Sequence, residues 1–159
     1  MEQTAQTEQT EQALEWLLER LTLCDRRITP QRVAVCAAIL THNGHPTPME
    51  IRDLVWQSNR SISQATIYNT IAMLEEFKLI RKLDIAGSEH THYDLNVAAH
   101  INVVCKQCGR ISDVHTDMIE ALFGFVAARS NYEIDTGAGL IVYGICTECQ
   151  QVQNAHTED

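Results

Sequence analysis

Residues 63–83 read SQATIYNTIAMLEEFKLIRKL, and they decide how the first half of the chain is built. Ile67, Ile71 and Leu74 recur at helical spacing, which predicts a helix starting near Ser61 or Ser63 with that stripe buried. Its opposite face offers Gln64, Tyr68 and Asn69 to the outside. After Phe77 the pattern changes to short alternating runs, Leu79 to Asp84 and Thr91 to Leu95, joined by a Gly-Ser turn. That is a hairpin signal.

Upstream, Thr47-Pro48-Met49-Glu50 reads as a capping box, threonine at N-cap and glutamate at N3, ahead of a helix burying Ile51, Leu54 and Val55. Thr29-Pro30 opens an earlier helix, because proline's fixed φ suits the first helical position. Val33, Cys36, Ala37 and Leu40 form its expected apolar stripe, and His42-Asn43-Gly44 its stop. Leu14, Leu17, Leu18 and Leu21 predict a first helix, preceded over residues 1 to 12 by a polar, frayed lead-in. Helices followed by a hairpin give the order of a winged helix-turn-helix.

The remainder reads as a small α+β unit. Strands are expected at Ile101 to Val104, Arg110 to Val114, Tyr132 to Asp135 and Leu140 to Ile145. A helix from about Thr116 to Arg129 carries Ile119, Leu122, Phe123 and Val126. So short a mixed unit leaves sheet edge and apolar surface open to a second copy. The fold class is therefore α+β, with a winged-helix domain over 1–94, including its N-terminal extension, and a small α+β domain over 95–159.

Net charge is −9, at first sight unfavourable for a nucleic-acid partner. The distribution weakens that objection. From Cys24 to Lys82 eight basic residues face five acidic ones, whereas from Asp84 onward three face eleven. One half can approach phosphate while the other collects cations. No run approaches the roughly 18 apolar residues of a membrane span. Residues from Met1 onward carry no secretory pattern, so a cytoplasmic protein is expected.

Six cysteines in that compartment point to metal or redox chemistry before structural disulfides. Cys105-x-x-Cys108 and Cys146-x-x-Cys149 each place two thiols on one tight turn, helped by Gly109 after the first. Together they suit a closed tetrahedral Cys₄ zinc site, which competes with redox-active disulfides or an iron–sulfur cluster. Cys24 and Cys36 lie on apolar faces and read as core residues. A second group of donors, His90, His92, Asp94, His100, Asn102 and Asp113 with His45 upstream, gathers where the two halves join. Alternate residues of a strand share a face, so His90, His92 and Asp94 can point together, as can His100 and Asn102. Nitrogen and oxygen donors without sulfur suit iron(II), manganese(II) or zinc. No catalytic fingerprint is present, which disfavours an enzyme, a metal-dependent hydrolase included. A zinc-ribbon module that touches only protein is the remaining rival.

The run Arg27-Ile28-Thr29-Pro30-Gln31-Arg32, the His45-Pro46-Thr47 turn, the Ser63-Gln64-Ala65-Thr66-Ile67-Tyr68-Asn69 helix and both knuckles resemble the ferric uptake regulator (Fur) family. The likeness extends over nearly all the chain beyond about residue 14. Asn69, Asp94 and Asp113 are most similar to the peroxide-responsive (PerR) branch. The resemblance implies a homodimeric, metal-dependent repressor on a palindromic double-stranded DNA operator, with no membrane role. It implies structural Zn²⁺ on Cys105, Cys108, Cys146 and Cys149. Regulatory Fe²⁺ or Mn²⁺ would sit on His45, Asp94, His100, Asn102 and Asp113. DNA contacts would come from Ser63, Gln64, Thr66, Tyr68 and Asn69. The branch implies peroxide sensing by iron-catalysed histidine oxidation; an iron-, manganese- or zinc-uptake repressor is the alternative. Asn102 departs from the histidine usual there, which favours harder ions, and His92 is a conceivable substitute.

Overall fold

The computed structural model describes residues 2–24, 26–42 and 44–155, which form two compact units. The first comprises Met1–Asp84 and Glu89–Val97; the second comprises Ile85–Ser88 and Ala98–Asp159. The division at Val97 falls just beyond Asp94, and the tip of the hairpin counts with the second unit.

The first unit contains α1 (Glu2–Leu23), α2 (Pro30–Thr41), α3 (Pro48–Ser58), α4 (Gln64–Glu76), β1 (Arg81–Leu83) and β2 (His92–Asp94). Each of the three inner helices starts on a hydroxyl. Thr29 caps α2, Ser63 caps α4, and Thr47 with Glu50 forms the full capping box of α3. Trp56 Nε1 donates to the Ile62 carbonyl at 2.9 Å and closes the α3–α4 turn. Ile51, Val55, Ile67, Ile71 and Leu74 meet Leu17, Leu21 and Ile39 in one core. β1 and β2 pair antiparallel, Arg81 opposite Asp94 and Leu83 opposite His92, completing the winged-helix order.

Two expectations for this unit need correction. α1 reaches back to Glu2 through the supposed lead-in, because glutamine, glutamate and alanine are good helix formers and nothing there breaks the helix. In α2 the buried residues are Val35, Cys36, Ala38 and Ile39, so the core-facing stripe is rotated from the expected one. Cys36 is a core cysteine, and burial pushes its thiol up to about 12. Cys24, just past the end of α1, is only half-buried. Asn43 of the expected helix stop lies outside the described residues; α2 ends at Thr41.

The second unit contains β3 (Ile101–Cys105), β4 (Ile111–Val114), α5 (Met118–Ser130), β5 (Leu140–Gly144) and α6 (Thr147–Ala155). β3 lies centrally, antiparallel to β4 and parallel to β5. The strand expected at Tyr132 to Asp135 is absent. Asn131 ends α5 in the left-handed region, and Asp135 spends its carboxylate on the Gly137 N–H at 3.0 Å, opening a 3₁₀ turn. Local turn chemistry overrides strand propensity there. α6 was not foreseen, and it places Cys149 on a helix. α5 buries Ile119 and Phe123, whereas Leu122 and Val126 are 42% and 38% exposed, joined on the surface by Met118 and Phe125.

Candidate metal centres and nucleic-acid face

The four knuckle cysteines converge: their sulfurs all lie within 4.8 Å of one another. Cys108 Sγ and Cys146 Sγ are 3.8 Å apart. A tetrahedral ion with bonds of about 2.3 Å holds its sulfurs ~3.8 Å apart, so this spacing fits one ion. The first knuckle turns through Gly109 at φ +75°, whose N–H donates to the Cys105 carbonyl at 2.9 Å. The second follows β5, with the Gln150 N–H on the Cys146 carbonyl at 3.0 Å. Backbone N–H groups of Cys146 and Cys108 aim at the Cys105 sulfur and hold its pKa at about 6. Hydrogen bonding with Cys146, then burial and the neighbouring sulfurs, pushes Cys149 up to about 12. Four crowded sulfurs cannot all be thiolates without a cation among them. The donor set therefore fits a resident metal.

In the first unit, the turn before α3 and strand β2 are laced together. The Tyr93 N–H donates to the Pro46 carbonyl at 2.9 Å, and His92 Nδ1 meets the His45 carbonyl at 3.0 Å. This brings His45 Nε2 to 4.0 Å from Asp94 Oδ1, both side chains almost wholly buried. The Asn96 N–H holds the same Asp94 oxygen at 2.7 Å. His92 thus steadies the turn that carries His45. His90 lies outside β2 and is exposed.

In the second unit, the β3–β4 register sets Asn102 opposite Asp113. His100 is fully buried, with Nδ1 on the Ala98 carbonyl at 2.9 Å. A carbonyl can only accept, so the proton sits on Nδ1 and the Nε2 lone pair is left to receive. Nε2 accepts from Asn102 Nδ2 at 3.1 Å and lies 3.7 Å from Asp113 Oδ1. Asn102 is 1% exposed, and its Oδ1 has no hydrogen-bond partner among the described residues. An orphaned buried acceptor beside an imidazole lone pair and a carboxylate suits a hard cation. Sequence reading missed Gly139, at φ +67°. A Cβ there would meet the His100 carbonyl at 2.9 Å, and the same carbonyl accepts from the Leu140 N–H at 3.1 Å. It also missed His115, whose ring centroid lies 5.5 Å from that of His100.

On α4, Gln64, Tyr68 and Asn69 are exposed as expected. Ser63 and Thr66 are partly engaged with each other: the Thr66 N–H donates to Ser63 Oγ at 3.1 Å, and the two hydroxyls are 2.9 Å apart. Beside this face Arg27, Thr29, Arg32, Thr66, Asn69 and Thr70 line a recess of about 350 Å³. The two arginines supply the positive charge that the exposed residues of α4 lack.

A winged helix coupled to a cysteine-caged α+β unit defines a class of metal-responsive, DNA-binding regulators. The chain belongs to the ferric uptake regulator family, whose sequence profile matches residues 24–143. It is 28% identical over 151 residues to the peroxide-responsive repressor PerR of Staphylococcus epidermidis, spanning 95% of this chain and 99% of that protein. The Campylobacter jejuni peroxide stress regulator superposes with a TM-score of 0.64 at 25% identity, over 86% of this chain and 98% of that one. The Helicobacter pylori ferric uptake regulator Fur superposes at 0.70 with 22% identity, over 89% and 93%. Among the described residues no helix is long and apolar enough to cross a membrane.

Proposed function

We propose that this chain is a cytoplasmic, homodimeric repressor that holds a palindromic operator when a regulatory metal is bound and releases it under peroxide. The observation that carries the reading is His100, fixed by Ala98 as an Nε2 donor beside Asn102 and Asp113. Similarity to peroxide-responsive repressors supports the choice of signal.

Residues 1–94 would read DNA and residues 95–159 would dimerise and bind metal. The cage of Cys105, Cys108, Cys146 and Cys149 would hold structural zinc. His45 and Asp94 from the first unit, with His100, Asn102 and Asp113 from the second, would share one Fe²⁺ or Mn²⁺. Ligands drawn from both units favour the DNA-competent arrangement by their differential affinity for the ion in it. The exposed apolar residues of α5 and the outer strands β4 and β5 suit a second copy. Paired recognition helices would then meet successive major grooves. Arg27 and Arg32 would anchor phosphate, and Gln64, Tyr68 and Asn69 would face base edges, with Ser63 and Thr66 at the helix start.

Iron(II) in this site would supply the one-electron chemistry that turns peroxide into an oxidant able to place an oxygen atom on the imidazole of His45 or His100. The residues themselves keep those rings fixed, buried and close to their carboxylate neighbours. After iron loading and peroxide, peptide mass spectrometry should find one added oxygen on His45 or His100, in step with lost operator binding. Lost binding with both rings intact refutes the oxidation step. Asp113→Ala should abolish metal-dependent operator binding while cage metal and dimer persist; unchanged binding removes Asp113 from the ligand set. Asn102 favours a second reading, an iron-, manganese- or zinc-uptake repressor, because it removes one oxidisable ligand. Operator binding that responds to metal but not to peroxide selects it.

A further inference from the structure

The two knuckles are far apart in sequence, yet one ion pair outside the sulfurs joins them directly. Arg110 leaves the first knuckle two residues past Cys108, and Glu148 lies inside the second, between Cys146 and Cys149. The guanidinium meets the carboxylate fork to fork: Nη1 donates to Oε1 at 2.8 Å and Nη2 to Oε2. Cys108 lies two residues before Arg110 and Cys146 two residues before Glu148, and the sulfurs of these two cysteines are 3.8 Å apart. The pair carries no net charge, although Arg110 itself is drawn to the Cys146 and Cys108 sulfurs. What it supplies is geometry, because a bidentate pair fixes both distance and orientation.

We propose that Arg110 and Glu148 form a clasp that holds the two cysteine knuckles in register and slows escape of the caged ion. A departing ion must let one knuckle swing away from the other, and while the clasp is closed that swing breaks two parallel hydrogen bonds. The clasp is a positioning device and touches no metal. It rests on the cage reading above, and it governs how long the cage keeps its ion against competing chelators, a property separate from the regulatory site.

The test is transfer of zinc from the full-length protein to a chromogenic chelator at neutral pH. It compares wild type, Glu148→Gln, Arg110→Lys and the charge-swapped double variant Arg110→Glu with Glu148→Arg. Both partners are exposed, so each single variant should fold, which circular dichroism checks. The singles should release zinc about fivefold faster, the most that an exposed pair of this kind supports. The swap should restore slow release, because pairing returns with the charges exchanged; a merely local perturbation at either position would persist in the swap. High salt should accelerate wild type toward the singles and leave the singles unchanged. Singles that release zinc at the wild-type rate, or a swap no slower than the singles, overturn the clasp. A wild-type chain that binds no zinc on its four thiols overturns the cage itself, and is recognised before any variant is made.

Discussion

The sulfur cage and the nitrogen–oxygen donors are organised in opposite ways. All four cage cysteines belong to the second unit, from Cys105 at the end of β3 to Cys149 in the first turn of α6. The other five donors are divided, His45 and Asp94 in the first unit and His100, Asn102 and Asp113 in the second. Within each unit they are held by main-chain carbonyls and N–H groups: the His45 turn through Pro46 and His92, Asp94 through Asn96, and His100 through Ala98. A set contained in one small unit can serve stability alone. Were the divided set to share one ion, as proposed above, its affinity would depend on the arrangement of the units, and a switch requires that dependence.

Removing the cage is the harshest way to test this contrast. The second unit buries few large apolar side chains, Val104, Ile119 and Phe123 among them, whereas the first owns a continuous core from Leu17 to Tyr93. Structural zinc contributes on the order of 10 kcal/mol to the folding of small domains. Cys146→Ser should therefore abolish cooperative unfolding of the second unit while the helical signal of the first survives, read by thermal circular dichroism with and without chelator. A variant that keeps both transitions would show that the cage is not what holds the second unit together.

A subtler change separates the two centres. Gly139→Ala sets a Cβ 2.9 Å from the His100 carbonyl, at a φ of +67° that L side chains rarely adopt. His100 or the β5 entry must shift, and the imidazole with it. Displacing the support of a ligand lowers metal affinity by roughly 10-fold or more. Manganese titration should show that loss, with cage zinc content unchanged. Equal manganese affinity in variant and wild type would mean that the placement of His100 does not govern the proposed regulatory site.

These two centres also differ in how far the sequence exposes them. Cys-x-x-Cys is a local pattern, and its geometry follows from one turn, so the cage was legible residue by residue. The winged helix was legible too, because Thr29, Thr47 and Ser63 announce helix starts through their own side chains. His45 and Asp94 share no local pattern, being drawn together by Pro46, His92 and Tyr93 through contacts between residues 47 positions apart. Their assignment needed the family resemblance. Gly139 was unreadable because its role is an absence of side chain against a distant carbonyl. α6 was missed because its sequence is polar, with only Val152 as a large apolar residue, so no buried stripe marks it.

The smallest effect concerns the element that carries His45. Burial raises the Glu50 pKa, but the Thr47 N–H and then its hydroxyl outweigh that, with His42 and His92 adding to them, and the net shift is downward. Folding thus favours the ionised carboxylate. The capping contribution is complete above the ordinary carboxylate range of about 4–5 and is lost as pH falls through it toward the lowered folded value. Thr47→Ala should cost the first unit about 1 kcal/mol at neutral pH, measured by urea denaturation. Glu50→Gln can still accept from the Thr47 N–H, yet it cannot ionise. It should therefore flatten the fall in stability on acidification, by lowering neutral stability slightly toward the level that wild type reaches in acid. A Gln variant with the same acid profile as wild type would place that dependence on another carboxylate.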